Sequence, residues 1–157
     1  MDLYLRKSVE SDLEVFFAHQ LDEEANYMAA FTPADPTDKN AYMEKWKRLL
    51  KDKTINVQTI ICDDEIVGSI AKYEIEGEAE ITYWIGRESW GKGIATAALS
   101  AFLATEKVRP IYGRAAFDNF GSRAVMEKCG FEKIGTGKGF ANARGKEIEE
   151  IIFKLGK

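Results

Sequence analysis

The sequence predicts an α/β (α+β) fold: a mixed, mostly antiparallel central sheet of six or seven strands, with helices on both of its faces. Between residues 55 and 86, segments rich in β-branched and aromatic residues alternate with short polar breaks, a spacing typical of antiparallel hairpins. After residue 91, helix-like and strand-like segments alternate, which is typical of helices packed on a sheet. With 157 residues, we expect one domain covering residues 1–157.

The first third of the chain predicts one strand followed by two helices. Residues 3–7 read as the strand, and Ser8 is expected to cap a helix over residues 9–20 because a serine hydroxyl accepts a hydrogen bond from the first helical turn. A second helix is expected to open at Asp35-Pro36, since proline is favoured at the first helical position, and to end near Lys51.

The rest of the chain predicts three strands, a helix, a strand, a short helix and two strands, at residues 55–62, 66–75, 79–86, 92–106, 110–117, 121–129, 131–136 and 148–155. Gly130 is expected to end the short helix, because glycine readily adopts the left-handed conformation found there. The predicted order is therefore β-α-α-β-β-β-α-β-α-β-β.

The composition narrows the classes of function. A formal net charge of −4 argues against a surface that wraps nucleic acid or binds an anionic membrane, and it is compatible with a cationic substrate. The apolar runs are shorter than the ~20 residues of a membrane span, and the N-terminus lacks a signal-peptide core. We therefore expect a cytoplasmic location. Two cysteines, interpreted as packing residues, and a single histidine predict neither a disulfide framework nor a metal site.

The segment from residue 83 to residue 96 holds the clearest functional signal. A strand ends, a short turn follows, and a helix begins at two glycines, Gly91 and Gly93. The first amides of a helix have no intrahelical acceptor and lie at the positive end of the helix dipole. Glycines there leave room for an anion, so the segment predicts a phosphate or pyrophosphate site. Lys92 either adds positive charge or is solvated.

Two other glycine-rich sites are excluded, and an ordinary helix start remains open. A nucleotide P-loop needs Gly-Lys-Ser/Thr at its end, which this segment lacks. A dinucleotide-binding turn needs a third glycine where Thr96 stands and a preceding βαβ unit, whereas hairpin strands precede this turn. A phosphate-binding protein of another class also remains an alternative.

A second motif follows the next predicted strand, Asn119-Phe120-Gly121-Ser122 and then Glu127-Lys128-Cys129-Gly130-Phe131. With these two motifs in this order, the chain resembles the GNAT superfamily of N-acetyltransferases. Residues 90–96 resemble its pyrophosphate loop, residues 119–131 its second acyl-CoA motif and residues 79–85 its fourth strand. Trp-Gly-Lys-Gly at residues 90–93 makes it most similar to the branch that acetylates N-terminal amines of ribosomal proteins.

The resemblance implies an acyl-CoA-dependent N-acetyltransferase that moves an acetyl group from acetyl-CoA directly to a primary amine, either a peptide N-terminus or a small molecule. Carried over by position, the cofactor contacts would be Tyr83, Trp84, Ile85, Gly91, Lys92, Gly93, Ile94, Ala95, Thr96 and Asn119. Asn119 would contact the pantetheine arm, or it caps a helix. A non-catalytic acyl-CoA-binding or regulatory module is the alternative, and a homodimer is left open.

The same resemblance suggests two catalytic residues. Glu80 would be the general base, or else a solvated carboxylate on a strand. Many family members have a tyrosine as general acid at the position of Met126, so Ser122 becomes the candidate donor to the thiolate; its alternative is a hydroxyl bonded within the first helical turn. Thr82, where a glycine is common, would narrow the channel and favour acetyl over longer acyl groups.

The amine is expected under the first two helices and the segment that joins them, Gln20 to Asp35. This segment contains three consecutive carboxylates followed by Tyr27, Met28 and Phe31, which suits a cationic amine; a solvated acidic run is the alternative. Residues 140–145 are a second candidate for the rim of this site, or a hairpin turn.

Overall fold

The structure is a computed structural model that describes residues 1–156. Its elements, in chain order, are β1 (Leu3–Lys7), α1 (Leu13–Gln20), α2 (Glu23–Ala29), α3 (Lys39–Lys51), β2 (Asn56–Cys62), β3 (Glu65–Ile75), β4 (Glu78–Ile85), α4 (Ile94–Thr105), β5 (Ile111–Ala116), α5 (Phe120–Lys128), β6 (Glu132–Ala141) and β7 (Lys146–Leu155). Short 3-10 turns precede α1 and follow β4. Across residues 1–156, every helix is too short or too polar to span a bilayer.

Seven strands form one sheet in the order β1-β2-β3-β4-β5-β7-β6. β4 and β5 run parallel, and all other neighbours are antiparallel. This topology confirms the predicted mixed, mostly antiparallel sheet with helices packed on it. The parallel pair lies in the middle of the sheet, between two antiparallel blocks.

Two tight hairpins hold β2, β3 and β4 together. The β3–β4 turn places Glu76 and Gly77 at φ 51° and 82°, and the β2–β3 turn places Asp63 and Asp64 at φ 50° and 67°. Two consecutive positive φ angles are what a two-residue hairpin turn requires for its twist to match that of the strands. These turns fix the register in which β4 lies beside β3.

Helix α4 packs its apolar face on the sheet. Its buried residues, Ile94, Ala98, Leu99 and Phe102, recur at helical spacing and so share one side of the helix. They join a core cluster with residues of β2, β3 and β4. This packing holds the N-terminus of α4 close to the end of β4.

The start of α1 differs from the prediction. Ser8 does not cap the helix: it is buried, and its hydroxyl lies 2.7 Å from that of Thr59 on β2. The carboxylate of Asp12 instead accepts the amide of Val9 at 2.9 Å and closes a 3-10 turn ahead of α1. A serine hydroxyl can bond equally well to a neighbouring strand, and sequence alone does not distinguish these partners.

The predicted opening of the next long helix at Asp35-Pro36 was wrong by three residues. Helix α3 begins at Lys39, and Asp38 caps it by accepting the amide of Ala41 at 3.0 Å. The Asp35 carboxylate instead accepts the amide and hydroxyl of Thr37. Both aspartates are good caps, and the one nearer the periodic apolar residues is used.

Helix α2 was missed, because its segment was predicted only as a connection between helices. It has seven residues and is capped by Asp22, whose carboxylate accepts the amide of Ala25 at 2.8 Å. Its buried residues include Asn26, whose side-chain amide donates to the carbonyl of Gln20. A helix this short, with a polar residue facing inward, has no clear apolar period.

The last hairpin is longer than predicted. β6 continues to Ala141, five residues past the predicted end, and pairs with β7 along almost its whole length. Glycines at 135, 137 and 139 weakened the strand signal, because glycine has a low strand propensity. The predicted turn at 140–145 is confirmed from residue 142 onward, with Gly145 at φ 67°.

Candidate functional site

β4 and β5 separate soon after they begin to pair. Only Ala79 with Ile111 and Glu80 with Tyr112 are in register. Beyond them, as far as the structure describes the chain, the edge of β4 from Ile81 to Ile85 has no partner strand. A strand edge without a partner presents free amide and carbonyl groups, so this gap is a potential binding site for an extended ligand.

Strand alternation identifies which backbone groups face the gap. The Trp84 carbonyl points toward β3, so closely that a Cβ on Gly68 would lie 2.2 Å from it, and the Gly86 amide donates to the Val67 carbonyl on the same side. Tyr83 and Ile85 therefore present their backbone groups to the open edge. The Ile85 carbonyl accepts the indole N–H of Trp90 at 2.9 Å.

A groove of about 590 Å³ follows this open edge, and we call it the β4 groove. It is bounded by β4, by the start of α4, by the first turns of α5 and by one side of α2. Nine of the ten residues predicted to contact the cofactor line it, namely Tyr83, Trp84, Ile85, Gly91, Gly93, Ile94, Ala95, Thr96 and Asn119. Lys92 is exposed and does not line the groove.

The N-terminus of α4 opens into the groove without a side-chain cap. Side-chain carboxylates or amides cap three other helices, α2, α3 and α5, but the capping position of α4 is occupied by Gly93, which has no side chain. Gly91 and Gly93 have φ 75° and 76°, and a Cβ on either would meet no atom within 4 Å. The first amides of α4 are therefore accessible to an anion.

A pair of hydroxyl groups lies inside the groove. The hydroxyls of Tyr83 and Ser122 are 2.8 Å apart and join β4 to α5. Burial raises the pKa of Tyr83 to about 12, so its phenol is neutral at physiological pH. From the sequence, only the backbone of Tyr83 was predicted to contact a ligand, although strand alternation places its side chain on the α5 side of β4.

Glu80 lies on the opposite face of β4 and is buried, with only 5% of its surface exposed. Its Oε1 accepts the Arg114 guanidinium at 3.2 Å and the Tyr73 hydroxyl at 3.5 Å. Arg114 also bridges to Glu150 at 2.8 Å. Glu80 is therefore not the solvated carboxylate considered as an alternative. Both contacts fall on Oε1, which leaves Oε2 for other partners.

A second cavity, of about 610 Å³, covers this face of the sheet, and we call it the aromatic cavity. Small and aromatic residues of β3 and β4 form its floor, and α1, α3 and residues 31–38 form its roof. Tyr73, which donates to Glu80, lines it. Trp84 lines both the aromatic cavity and the β4 groove, so the two cavities meet at this residue.

Among residues 1–156, two buried polar side-chain atoms lack a hydrogen-bond partner, His19 Nδ1 and Trp84 Nε1. Each unpaired group costs about 1–3 kcal/mol. His19 lies against the end of β4, since a Cβ on Gly86 would be 2.8 Å from its Nε2. Burial lowers the pKa of His19, against an opposing effect of Glu88, and this favours the neutral imidazole.

Comparison with known proteins agrees with this fold. The family model described as the acetyltransferase (GNAT) domain matches residues 2–132. The chain belongs to the GNAT acetyltransferase family. It is accordingly an N-acetyltransferase.

One protein of similar sequence and two solved structures of similar fold can be compared with this chain. The chain is 28% identical to YdaF of Bacillus subtilis (strain 168), described as a ribosomal N-acetyltransferase, over 81% of this chain and 75% of YdaF. RimL, a ribosomal L7/L12 alpha-N-protein acetyltransferase solved with coenzyme A, has a TM-score of 0.84 at 21% identity, with 98% and 93% covered. Spermidine N-acetyltransferase from Vibrio cholerae, solved with coenzyme A and spermine, has a TM-score of 0.79 at 20% identity, with 97% and 95% covered.

The position that holds a tyrosine in many GNAT proteins faces the core in this chain. Met126 is 2% exposed and packs so tightly on Gly113 that a Cβ there would lie 2.5 Å from its methyl group. Other residues of α5, among them Ser122 and Val125, face the β4 groove. The groove nevertheless contains a tyrosine hydroxyl, contributed by Tyr83 on β4.

Asn119 caps α5 in this GNAT protein. Its Oδ1 accepts the Ser122 amide at 3.2 Å, and its Nδ2 donates to the Met28 carbonyl at 3.3 Å. Asn119 thereby ties α2 to α5 across the groove that it lines. Both sequence-based interpretations of Asn119 share this location, and the structure shows the capping contact.

Two of the three carboxylates in the acidic run that is a candidate for the amine site form ion pairs. Asp22 and Glu24 contact the Arg87 guanidinium at 3.4 and 2.5 Å, and Arg87 lies 4.9 Å from the Trp90 ring centre. These contacts tie α2 to the turn that precedes α4. Of the predicted acceptor segment, Phe31 and Asp35 line the aromatic cavity, while Met28 lines the β4 groove.

Proposed function

We propose that this acetyltransferase binds acetyl-CoA in the β4 groove and transfers the acetyl group directly to a primary amine in the aromatic cavity. In this proposal residues 1–157 act as one catalytic domain without a metal. The observation that carries it is the early end of β4–β5 pairing, which leaves an open strand edge beside the uncapped N-terminus of α4. The coenzyme A complex of RimL supports the cofactor assignment.

The diphosphate of acetyl-CoA binds the amides between Gly91 and Thr96. These groups combine free donors with the positive end of the α4 dipole, the usual setting for a phosphate at a helix N-terminus. Lys92, exposed at the rim, contributes charge without lining the groove. This arrangement explains why two glycines stand at the start of a helix that would otherwise be better capped by serine or aspartate.

The pantetheine arm extends β4 as an additional strand. Tyr83 and Ile85 present backbone groups to the groove, and strand addition of this kind gives affinity through main-chain hydrogen bonds. An amide donor of the same strand edge polarises the thioester carbonyl and stabilises the negative oxygen that forms during attack. Asn119 contributes by holding α2 over the arm.

The chemical step replaces a C–S bond by a C–N bond. The neutral amine attacks the thioester carbonyl, the tetrahedral intermediate collapses, and the coenzyme A thiolate leaves. Ser122 donates a hydrogen bond to the sulfur, while Tyr83 donates to Ser122 and so orients its proton. A thiol has a pKa near 8.5, so this modest assistance suffices.

The amine must lose one proton during the reaction. Glu80 Oε2 accepts this proton, either through water or directly on the side of the aromatic cavity where Tyr73 lies. This general-base step raises the reaction rate roughly 10²–10⁴-fold. A peptide α-amine, with a pKa near 8, is about one-tenth neutral at pH 7, whereas a lysine amine, near 10.4, is almost fully protonated. We therefore favour α-amines, on a peptide N-terminus or a small molecule, as acceptors.

An acceptor screen tests the proposal. Release of free coenzyme A from acetyl-CoA is measured over α-amines and lysine-type amines, with wild-type protein and the Glu80→Gln and Ser122→Ala variants, and acetyl-CoA affinity is measured by calorimetry. We expect turnover with α-amines, slower turnover in both variants and unchanged acetyl-CoA affinity in Glu80→Gln. Tight acetyl-CoA binding without turnover of any amine would contradict the transfer reaction, and unchanged turnover in both variants would refute the catalytic assignments alone.

A further inference from the structure

The lining of the aromatic cavity points to a class of acceptor. We propose that the acceptor is an α-amine that carries a planar aromatic group, and that this group binds in the aromatic cavity while the amine reaches the β4 groove past Trp84. This inference rests on the proposed function and adds the chemistry of the substrate.

The floor of the aromatic cavity contains a slot of the right shape. On β3 and β4, Ala71 and Thr82 are register partners, with Tyr73 on one side and Trp84 on the other. Tyr73 is the register partner of Glu80, and Glu80 lies four residues before Trp84 on β4. The backbones of Tyr73 and Trp84 are therefore separated by about 13 Å along the strands. Two small residues thus leave a depression that is bracketed by aromatic side chains.

The roof supplies aromatic rings. On α3, Tyr42 and Trp46 have ring centres 5.7 Å apart, and Trp46 contacts Phe16 of α1 at 5.4 Å. Tyr42 and Trp46 are half-buried, so part of each ring faces the cavity. A planar group inserted between the roof and the floor would form offset or edge-to-face ring contacts on both sides, which add to the gain from apolar burial.

The charges of the aromatic cavity are confined to its rim. Apart from the half-buried His19, whose burial favours the neutral imidazole, the acidic and basic residues that line it are all exposed, namely Asp35, Asp38, Lys45 and Glu74. The buried carboxylate nearest to Tyr73, Glu80, is already paired with Arg114. A polyamine would bring a second ammonium group into this interior, where an unpaired charge is costly. The three rim carboxylates, against one lysine, favour the approach of a single positive amine.

The volume agrees with this occupant. A cavity of about 610 Å³ is in the range of small-molecule sites and exceeds what a linear alkylamine fills. Because Trp84 borders both the aromatic cavity and the β4 groove, an acceptor whose ring lies over Ala71 can direct its amine toward the thioester. An α-amine one carbon from its side chain, as in an aromatic amino-acid amide, has this geometry.

Amino-acid amides test the inference, because their α-amines have similar pKa values and differ in the side chain. Coenzyme A release is measured with phenylalanine, tryptophan, leucine and serine amides and with spermidine. We expect kcat/KM for the aromatic amides to exceed that for serine amide by about 10- to 100-fold, the range that a filled apolar pocket provides.

Two variants locate the effect. Ala71→Leu fills the slot and should raise KM for phenylalanine amide at least 10-fold, without changing the affinity for acetyl-CoA. Ala18→Leu is the matched control, since Ala18 is exposed on α1 and does not line the cavity; its kinetics should equal those of the wild type. Thermal melting of both variants verifies that they are folded.

The outcomes separate the two proposals. Equal or better turnover of serine amide or spermidine would overturn the aromatic acceptor and leave the acetyltransfer intact. An aromatic preference that persists unchanged in folded Ala71→Leu would also overturn it, because the ring would then bind elsewhere. Acetyl-CoA binding with no turnover of any amine would contradict the proposed function itself and this inference with it.

Discussion

The two glycines at the start of α4 allow a controlled test of the diphosphate site, by Gly91→Ala and Gly93→Ala. Both residues have φ near 75°, and a Cβ on either would meet no atom within 4 Å. Alanine in this left-handed conformation costs about 1–2 kcal/mol. Gly77, in the β3–β4 turn, has φ 82° and is equally unobstructed, so Gly77→Ala carries a similar conformational cost at a place remote from the groove.

The three variants should therefore be destabilised alike and differ in binding. For a domain of this size, 1 kcal/mol corresponds to a Tm decrease of about 2–4 °C. Near the groove, the added methyl group and the shifted amides should weaken at least one hydrogen bond to a charged phosphate, worth about 1.5–3 kcal/mol. The Kd for acetyl-CoA should accordingly rise about 10- to 150-fold in Gly91→Ala or Gly93→Ala and less than 2-fold in Gly77→Ala.

Calorimetric titration with acetyl-CoA, combined with thermal melting, measures both quantities. Acetyl-CoA affinity in Gly91→Ala and Gly93→Ala equal to that of Gly77→Ala, at the same decrease in Tm, would refute the diphosphate site. A loss of affinity in Gly77→Ala equal to that of the groove variants would refute it too, because the effect would then come from general destabilisation.

Three other predictions concern catalysis and pH. Glu80→Gln should lower kcat by about 10²-fold with acetyl-CoA affinity unchanged in calorimetry; an unaltered kcat would exclude Glu80 as the base. Tyr83→Phe should lower kcat and make it more sensitive to the pKa of the leaving thiol when acyl donors are compared, since Ser122 loses its donor; an unchanged sensitivity would make the pair structural. Burial lowers the pKa of the single histidine, His19, below 6.5. As the pH falls, the unfolded chain therefore binds a proton at this histidine before the folded protein does. The free energy of unfolding should be constant above about pH 6.5 and decrease below it. Urea midpoints at pH 7.5 and 5.5 should therefore differ in the wild type and coincide in His19→Gln, and equal midpoints in the wild type would contradict the reasoning.

The strands and the long helices were predictable because their signals are local. The β-branched and aromatic residues of β3 and β4, and the alanine-rich sequence of α4, are each visible within a window of about ten residues. The uncapped start of α4 was predictable for the same reason, since Gly91 and Gly93 have no side chain that could cap the helix. The register and the separation of β4 from β5 depend on pairing over thirty residues, and they became visible only in the structure.

The differences between the predicted and the observed contacts have a common physical cause. One polar group had several possible partners, and the sequence alone did not select among them. Ser8 could cap a helix or bond to Thr59, and the distant strand determined the outcome. The sequence allowed the carboxylates of Asp22 and Glu24 to bind a substrate, whereas in the structure both are paired with Arg87. Conversely, the Tyr83 hydroxyl was not predicted, because the tyrosine of many GNAT proteins corresponds in position to Met126, which is part of the core.

A crystal structure of the protein with acetyl-CoA tests the central claim most directly. We expect the diphosphate within hydrogen-bonding distance, about 3 Å, of amides between Gly91 and Thr96, with the pantetheine arm paired to the free edge of β4 at Tyr83 and Ile85. Acetyl-CoA bound elsewhere, or in the groove with its diphosphate away from the N-terminus of α4, would contradict the account.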